Sequence, residues 1–422
     1  MTLTITTDRT LVRAGSQSVR YLSLRFSAPD APARPDGRKT ERMPLDIAIV
    51  IDRSGSMSGE KLALAKEAAV KAIDMLTAAD RVALVAYDTE VQTLAHAAAL
   101  EPAHRDALLR ALDRMQAGSS TNLSGGWLTG CEAVARVMRQ ASVARCLLLS
   151  DGLANAGITD PTALEGHAEA LRSRGVITST FGIGDDFDER LMEGIARAGG
   201  GNFYFIKEAR EIPTFLGSEL GEALEVVARR AELVVEADAG VEVLSLDGRR
   251  LRRDGDTIRI ALDDVVARQE TELVLRVRFP RRDVGARVGL RVRMDDADGV
   301  LRALRGEMQW EVASHEANDA QPRVVTVDRA VATRYAAQAR REAAEFNRAG
   351  DLEAARRVLQ ATARRISEYA GRDRELRALV RELEELAREH EHRFGASALK
   401  GERMMAYSAM QSKDSRGRRE RR

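Results

Sequence analysis

Cysteine is nearly absent: only Cys131 and Cys146 occur in 422 residues. Two are too few for a disulfide scaffold, and the pair lacks the C-x-x-C spacing of a zinc or redox site. Both are expected as buried thiols, because free cysteine behaves as a small hydrophobe. An excess of one charge sign is missing too. Lys and Arg total 66 against 65 Asp and Glu, a net charge of +1, so no overall field draws the chain onto nucleic acid or anionic lipid. No specific nucleic-acid partner is expected. Long apolar runs are also lacking. Even LDIAIVI at 45–51 is bounded by Pro44 and Asp52, far short of the roughly 18 to 20 uncharged residues that cross a bilayer. The opening MTLTITTDRTLVRAG alternates apolar and polar residues and has no apolar signal-peptide segment. A cytoplasmic protein with no transmembrane segment is expected.

What is present describes a folded chain of several parts. Hydrophobic residues make up 44% and charged residues 31%, and at about 100 to 200 residues per domain the length implies two to four domains. Residues 1–28 hold two strand-like runs, TLTITT and SVRYLSLRF, and the Pro-rich, charged stretch 29–44 reads as a linker. Between 45 and 230, short apolar runs (LDIAIVI, RVALVAY, ARCLLLS, VITSTFGI, NFYFI) alternate with helical patterns. That is the mark of a doubly wound, mostly parallel α/β sheet of Rossmann-like type. VQTLAH follows RVALVAY after only three residues, too few for a crossover, and should pair antiparallel as an edge strand. Over 231–314 the period becomes two, with Asp-Gly turns at 247, 254 and 298, so an antiparallel β-sandwich is expected. Two isolated N-terminal strands are marginal alone. They are expected to join this sandwich, which makes the α/β domain an insertion into it. Over 326–396 the period is 3.6, with Leu352, Ala355, Leu359, Ala363 and Ile366 on one stripe, and Gly350-Asp351 supplies a C-cap followed by an N-cap. A helical bundle is expected there. The tail 412–422, with Lys413 and five arginines against two acidic residues, reads as basic and disordered.

Chemistry concentrates in three oxygen-rich loops. Asp52-Arg53-Ser54-Gly55-Ser56 follows the apolar run LDIAIVI directly, at the carboxyl edge where open α/β sheets bind ligands. Ser119-Ser120-Thr121-Asn122-Leu123 precedes a helical pattern, and Ser150-Asp151-Gly152 follows ARCLLLS. All three should meet on one edge. In this order and placement they resemble the metal-ion-dependent adhesion site of von Willebrand factor type A domains, a likeness that runs from Leu45 to about Arg230. The resemblance implies metal-binding residues Asp52, Ser54, Ser56, Thr121 and Asp151. It also implies Mg²⁺ (with Mn²⁺ or Ca²⁺ as alternatives), and a protein partner that supplies an acidic side chain. Hydroxyls and carboxylates suit a hard cation that takes octahedral oxygen ligands. The order of strands, domain and sandwich is similar to inter-alpha-trypsin inhibitor heavy chains and to bacterial type A domain proteins. Abundant Arg and Ala with little Lys suggest a bacterial source. Several bacterial members recruit substrates for a MoxR-type AAA+ ATPase, so that partner is the alternative expectation.

No enzyme is expected. Gly182-Ile-Gly184 lacks a third glycine, no G-K-[ST] closes a P-loop, and Met57 stands where a nucleophile elbow needs serine. Histidines such as His96, His104 and His167 show no ligand spacing. The run Asp185-Asp186-Phe187-Asp188-Glu189 reads as acidic residues at a helix start rather than a second metal site. Arg53, inside the first loop, is expected to face the site and select acidic partners.

Overall fold

The computed structural model describes residues 1–30, 42–249 and 251–410. The basic tail and most of the linker lie outside them. The chain opens with β1 (Thr2–Thr7), β2 (Leu11–Arg13) and β3 (Ser18–Ser27). β1 and β3 form an antiparallel pair from Thr2 opposite Ser27 to Thr7 opposite Leu22. β2 is a short strand that the sequence had not suggested; three residues are too few to display an alternation.

The chain then enters an α/β domain: β4 (Leu45–Asp52), α1 (Glu60–Asp74), β5 (Arg81–Tyr87), β6 (Val91–Ala99), α2 (Pro102–Arg114), α3 (Leu123–Ala135), β7 (Val143–Ser150), α4 (Pro161–Ser173), β8 (Val176–Ile183), α5 (Glu189–Ala198), β9 (Gly200–Ile206) and α6 (Ile212–Leu224). Its sheet runs β6-β5-β4-β7-β8-β9. Every pair is parallel except β5 with β6, at the edge. Each residue of β4, β7 and β8 is buried, which is why these strands are unbroken apolar runs: helices cover both faces of a parallel sheet. α3 lies close to β4, and a Cβ on Gly130 would come within 2.3 Å of the Val50 side chain. Glycine at that position lets the helix approach, and with it the loop that carries Thr121.

The chain returns through β10 (Val226–Ala237), β11 (Glu242–Ser245), β12 (Leu251–Asp254), β13 (Thr257–Val266), β14 (Glu270–Phe279), β15 (Arg287–Asp295) and β16 (Arg305–Ala313). Two sheets result, β1-β3-β14-β11 and β12-β13-β10-β15-β16-β2. The α/β domain is therefore inserted in an antiparallel β-sandwich. The N-terminal strands serve both sheets, because β3 pairs with β14 over ten residues while β2 runs parallel to β16. Trp310 is buried against Phe279, with ring centroids 4.9 Å apart, and its indole N–H donates to Thr7 Oγ1 at 3.0 Å. β10 begins at Val226, so the boundary read at residue 230 falls inside a strand. Arg230 there has a positive φ of 50°, and its N–H donates to Asp264 Oδ1 at 3.0 Å.

Helices follow: α7 (His315–Ala320), α8 (Val325–Ala349), α9 (Leu352–Ala370), α10 (Arg374–Glu389) and α11 (Ala396–Met410). Gly350 closes α8 at φ 84°, and the Asp351 carboxylate caps α9 by accepting the Ala354 N–H. Ala355, Leu359, Ala363 and Ile366 pack with Leu376, Leu383 and Leu386 in one core. α11 went unread in the sequence, since Lys400 and Gly401 interrupt its apolar face. Among the described residues, no helix is long and apolar enough to cross a membrane.

Candidate metal centre

Adjacent parallel strands end at the same edge, so β4 and β7 deliver Asp52 and Asp151 side by side. Backbone hydrogen bonds fasten the loops to one another. Arg53 N–H reaches Tyr87 O at 2.8 Å, Gly118 N–H reaches Arg53 O at 2.6 Å, and Gly55 N–H reaches Ser119 O at 2.8 Å. The third loop is tied to the second through Asn155 and Ala156, whose N–H groups both point at Thr121 O. The short turn Gly55–Met57 is anchored by the fully buried Met57 side chain. This edge is held by main-chain bonds before any side chain acts.

Within it, side-chain oxygens converge. Asp52 Oδ1 accepts the Ser54 N–H at 2.8 Å, and Oδ2 accepts the Ser150 hydroxyl at 2.7 Å. Ser54 Oγ lies 3.2 Å from Ser56 Oγ, and Ser56 donates to Asp151 Oδ1 at 2.7 Å. Thr121 joins over Gly152. A Cβ on that glycine would fall 3.2 Å from Thr121 Oγ1 and 3.6 Å from Ser56 Oγ. The structure thus brings Asp52, Ser54, Ser56, Thr121 and Asp151 into one cluster. Asp52 and Asp151 are 0% exposed and Thr121 is 3% exposed. Burial pushes the Asp52 carboxyl up to about 6, the Ser54 and Ser150 hydrogen bonds hold it down, and the Asp151 charge adds to the rise. A carboxyl held out of water in this way gains from a nearby cation.

The donor set fits a hard divalent ion: two carboxylates, three hydroxyls, and neither sulfur nor ring nitrogen. The Thr121 side chain is 3% exposed, and its hydroxyl, which is not among the buried orphaned atoms, has no hydrogen-bond partner among the described residues. Its oxygen is therefore open at the edge and can turn to a ligand without breaking a bond inside the protein. Among the described residues no cluster of three or more His, Cys, Asp or Glu side chains is built to hold a metal. Hydroxyls must therefore supply the balance here.

Two cations near the cluster differ from the sequence reading. Arg53 turns away: its Nε donates to Asp88 Oδ2 at 3.0 Å and its Nη1 to Gln92 Oε1 at 3.2 Å. The expectation that it faces the site is corrected, because Asp88 at the end of β5 neutralises it. Lys61, in the first turn of α1, reaches in instead, and its Nζ donates to Asp151 Oδ2 at 2.5 Å. Sequence reasoning missed Lys61 and Ser150. Ser150 closes an apolar strand beside Asp151, and a hydroxyl at that buried position was the available signal; nothing comparable marked Lys61 among the polar residues of a helix start. Asp188 caps α5 by accepting the Arg190 and Leu191 N–H groups. Cys131 and Cys146 are buried free thiols.

Residues 46–217 match the family described as von Willebrand factor type A domain. Among similar chains, the uncharacterized Escherichia coli protein YfbK is 31% identical over 202 residues, 47% of this chain and 35% of YfbK. Human inter-alpha-trypsin inhibitor heavy chain H4 is 29% identical over 175 residues, 40% of this chain and 18% of its own length. The chain thus spans about a third of the first relative and less than a fifth of the second. The solved structure of a von Willebrand factor type A protein from Catenulispora acidiphila superposes with a TM-score of 0.71 over 88% of both chains, at 20% identity. That likeness shows the fold over most of the molecule. With family match, relatives and fold in agreement, residues 46–217 of this chain are a von Willebrand factor type A domain.

Proposed function

We propose that this domain is a cation-dependent protein-binding module: Asp52, Ser54, Ser56, Thr121 and Asp151 hold a divalent ion, Mg²⁺ for choice, and a partner's carboxylate completes its surroundings. The observation that carries the reading is the convergence of three hydroxyls and two carboxylates at one sheet edge, with the Thr121 hydroxyl, which no described residue engages, facing the same gap over Gly152 as Ser56. Domains of this family are in general protein-interaction modules. With the hydroxyls of Ser54, Ser56 and Thr121 as the direct oxygens and Asp52 and Asp151 acting through water or hydrogen bonds, the bound ion would keep positive charge that its neutral neighbours leave poorly neutralised. Ser54 and Ser56 position their oxygens through the short turn, while Asp52 is held by Ser150 and Asp151 by Ser56. A partner carboxylate entering this dry, preformed edge would be a binding hot spot. The role proposed is binding rather than turnover: the site's two carboxylates are both assigned to the ion, and the stretches 53–59, 116–122 and 151–160 add neither His nor Glu as a further base.

The test is affinity purification of the tagged chain from native lysate in Mg²⁺, repeated with chelator and with Thr121→Ala. One protein set lost in both controls is the expected result. The same proteins in all three would overturn the reading. An AAA+ ATPase in the lost set, stimulated by the wild-type chain and not by Thr121→Ala, would make this protein its recruiting subunit.

A further inference from the structure

The Asp151 carboxylate has two oxygens, and both are engaged. Oδ1 takes the Ser56 hydroxyl and Oδ2 takes the Lys61 ammonium at 2.5 Å. Ser56 belongs to the candidate cation set; Lys61 does not. Its side chain is 29% exposed whereas that of Asp151 is 0% exposed, so the ammonium reaches inward from the rim on a flexible four-carbon stem. Beyond it lies Gly184, just after the end of β8, whose missing Cβ would stand 3.6 Å from Nζ. No side chain from that position hems the ammonium in. Lys61 therefore sits as a tethered monovalent cation on a carboxylate that the proposed divalent ion also needs.

We propose that Lys61 is a built-in competitor for the cation, holding Asp151 when the site is empty and releasing it when a divalent ion binds. This inference rests on the cation-binding reading above. Two positive charges on one buried carboxylate repel each other at short range, with little water between them to screen the repulsion. Binding of the ion must then displace the ammonium, and the observed affinity falls by the factor with which Lys61 occupies Asp151. The fold thus carries a device that keeps the site weak for the free ion. Occupancy comes to depend on what a partner's carboxylate adds.

The test is calorimetric titration of the full chain, stripped with chelator and dialysed, with Mg²⁺ and separately with Mn²⁺. Wild type is compared with Lys61→Met, Lys61→Gln, Lys61→Arg and Thr121→Ala, and each is melted with and without the ion. Lys61→Met and Lys61→Gln should bind about tenfold or more tighter, the lower end of what a hydrogen bond between charged groups contributes. Their melting temperatures should rise more on adding the ion, because a ligand stabilises in proportion to its occupancy. Lys61→Arg should stay near wild type, as it keeps the charge. Wild type that binds while both neutral variants bind no more tightly would overturn the competitor and leave the cation reading standing. An absence of binding in wild type and in both neutral variants would overturn the two together.

Discussion

Asp151 in the α/β domain and Asp247 in the sandwich stand in similar local contexts, a buried aspartate within two residues of a strand end and followed by glycine, yet their partners differ in kind. Asp247 is 1% exposed, accepts Arg334 Nε at 2.7 Å on one oxygen and the Val274 N–H at 2.8 Å on the other. Arg334 is itself buried, and its Nη2 also donates to Glu272 O at 2.9 Å. Those partners are permanent parts of the core. Asp151 is equally buried but is held by a serine in a short turn and by a lysine at the rim, both of which can change partner without disturbing packing. On the proposed reading, the difference separates a carboxylate that holds a fold together from one that is open to a ligand.

The comparison breaks most visibly at Arg334. Arg334→Met leaves Asp247 as an uncompensated buried charge, and urea denaturation should show a loss of about 3–5 kcal/mol. A loss below about 1 kcal/mol would mean that the two aspartates are alike after all.

Next in size is Asp52→Asn, with the opposite sign. The folded carboxyl is raised to about 6 from an ordinary 3.8, so its contribution to stability is whole below pH 3.8 and is lost as the pH rises through 6. In chelator at pH 7.5 the ionised, buried Asp52 therefore burdens the fold, and the amide should be more stable by about 1–3 kcal/mol. Toward pH 4 the gap should close. Denaturation at several pH values checks it, and a gap that stays constant with pH would show that Asp52 is not the titrating group.

Thr121→Ala sharpens the comparison at a smaller stability cost. It removes a hydroxyl with no hydrogen-bond partner among the described residues, so stability should change by less than about 1 kcal/mol while partner capture fails. If it unfolds the domain instead, the hydroxyl is structural and the contrast with Asp247 disappears.

How much of this was legible in the sequence follows the physics of each feature. The parallel sheet was, because burial on both faces writes itself as unbroken runs such as LDIAIVI and CLLLS. The sandwich was also legible, because one wet face writes an alternation, and so was the α8–α9 hairpin, through Gly350 and Asp351. The loops carrying Asp52, Thr121 and Asp151 were legible because each follows or precedes an element whose direction sets its edge. Lys61 and the Arg53–Asp88 pair were not, since a long side chain at a helix start or in a loop can reach several carboxylates and only the packed structure decides among them. Asp247 was read as a turn residue. The chain bends there, with Gly248 at a positive φ of 67°, but the partner Arg334 lies 87 residues away, a separation that no local pattern reports.

The smallest effect is expected at Gly152, and it tests whether the gap itself is part of the site. The backbone of Gly152 is not in the left-handed region, so alanine meets no conformational penalty. Its methyl would lie 3.2 Å from Thr121 Oγ1, tighter than ordinary contact, and the hydroxyl must yield by a few tenths of an ångström. Stability should barely move, since a loop side chain at this edge touches no core atom that cannot shift. Binding geometry is less forgiving, because cation sites tolerate displacements of only about 0.5 Å. Gly152→Ala should therefore weaken Mg²⁺ binding a few-fold in calorimetric titration with an unchanged melting temperature in chelator. Unchanged affinity would mean that Thr121 does not face the ion across this gap.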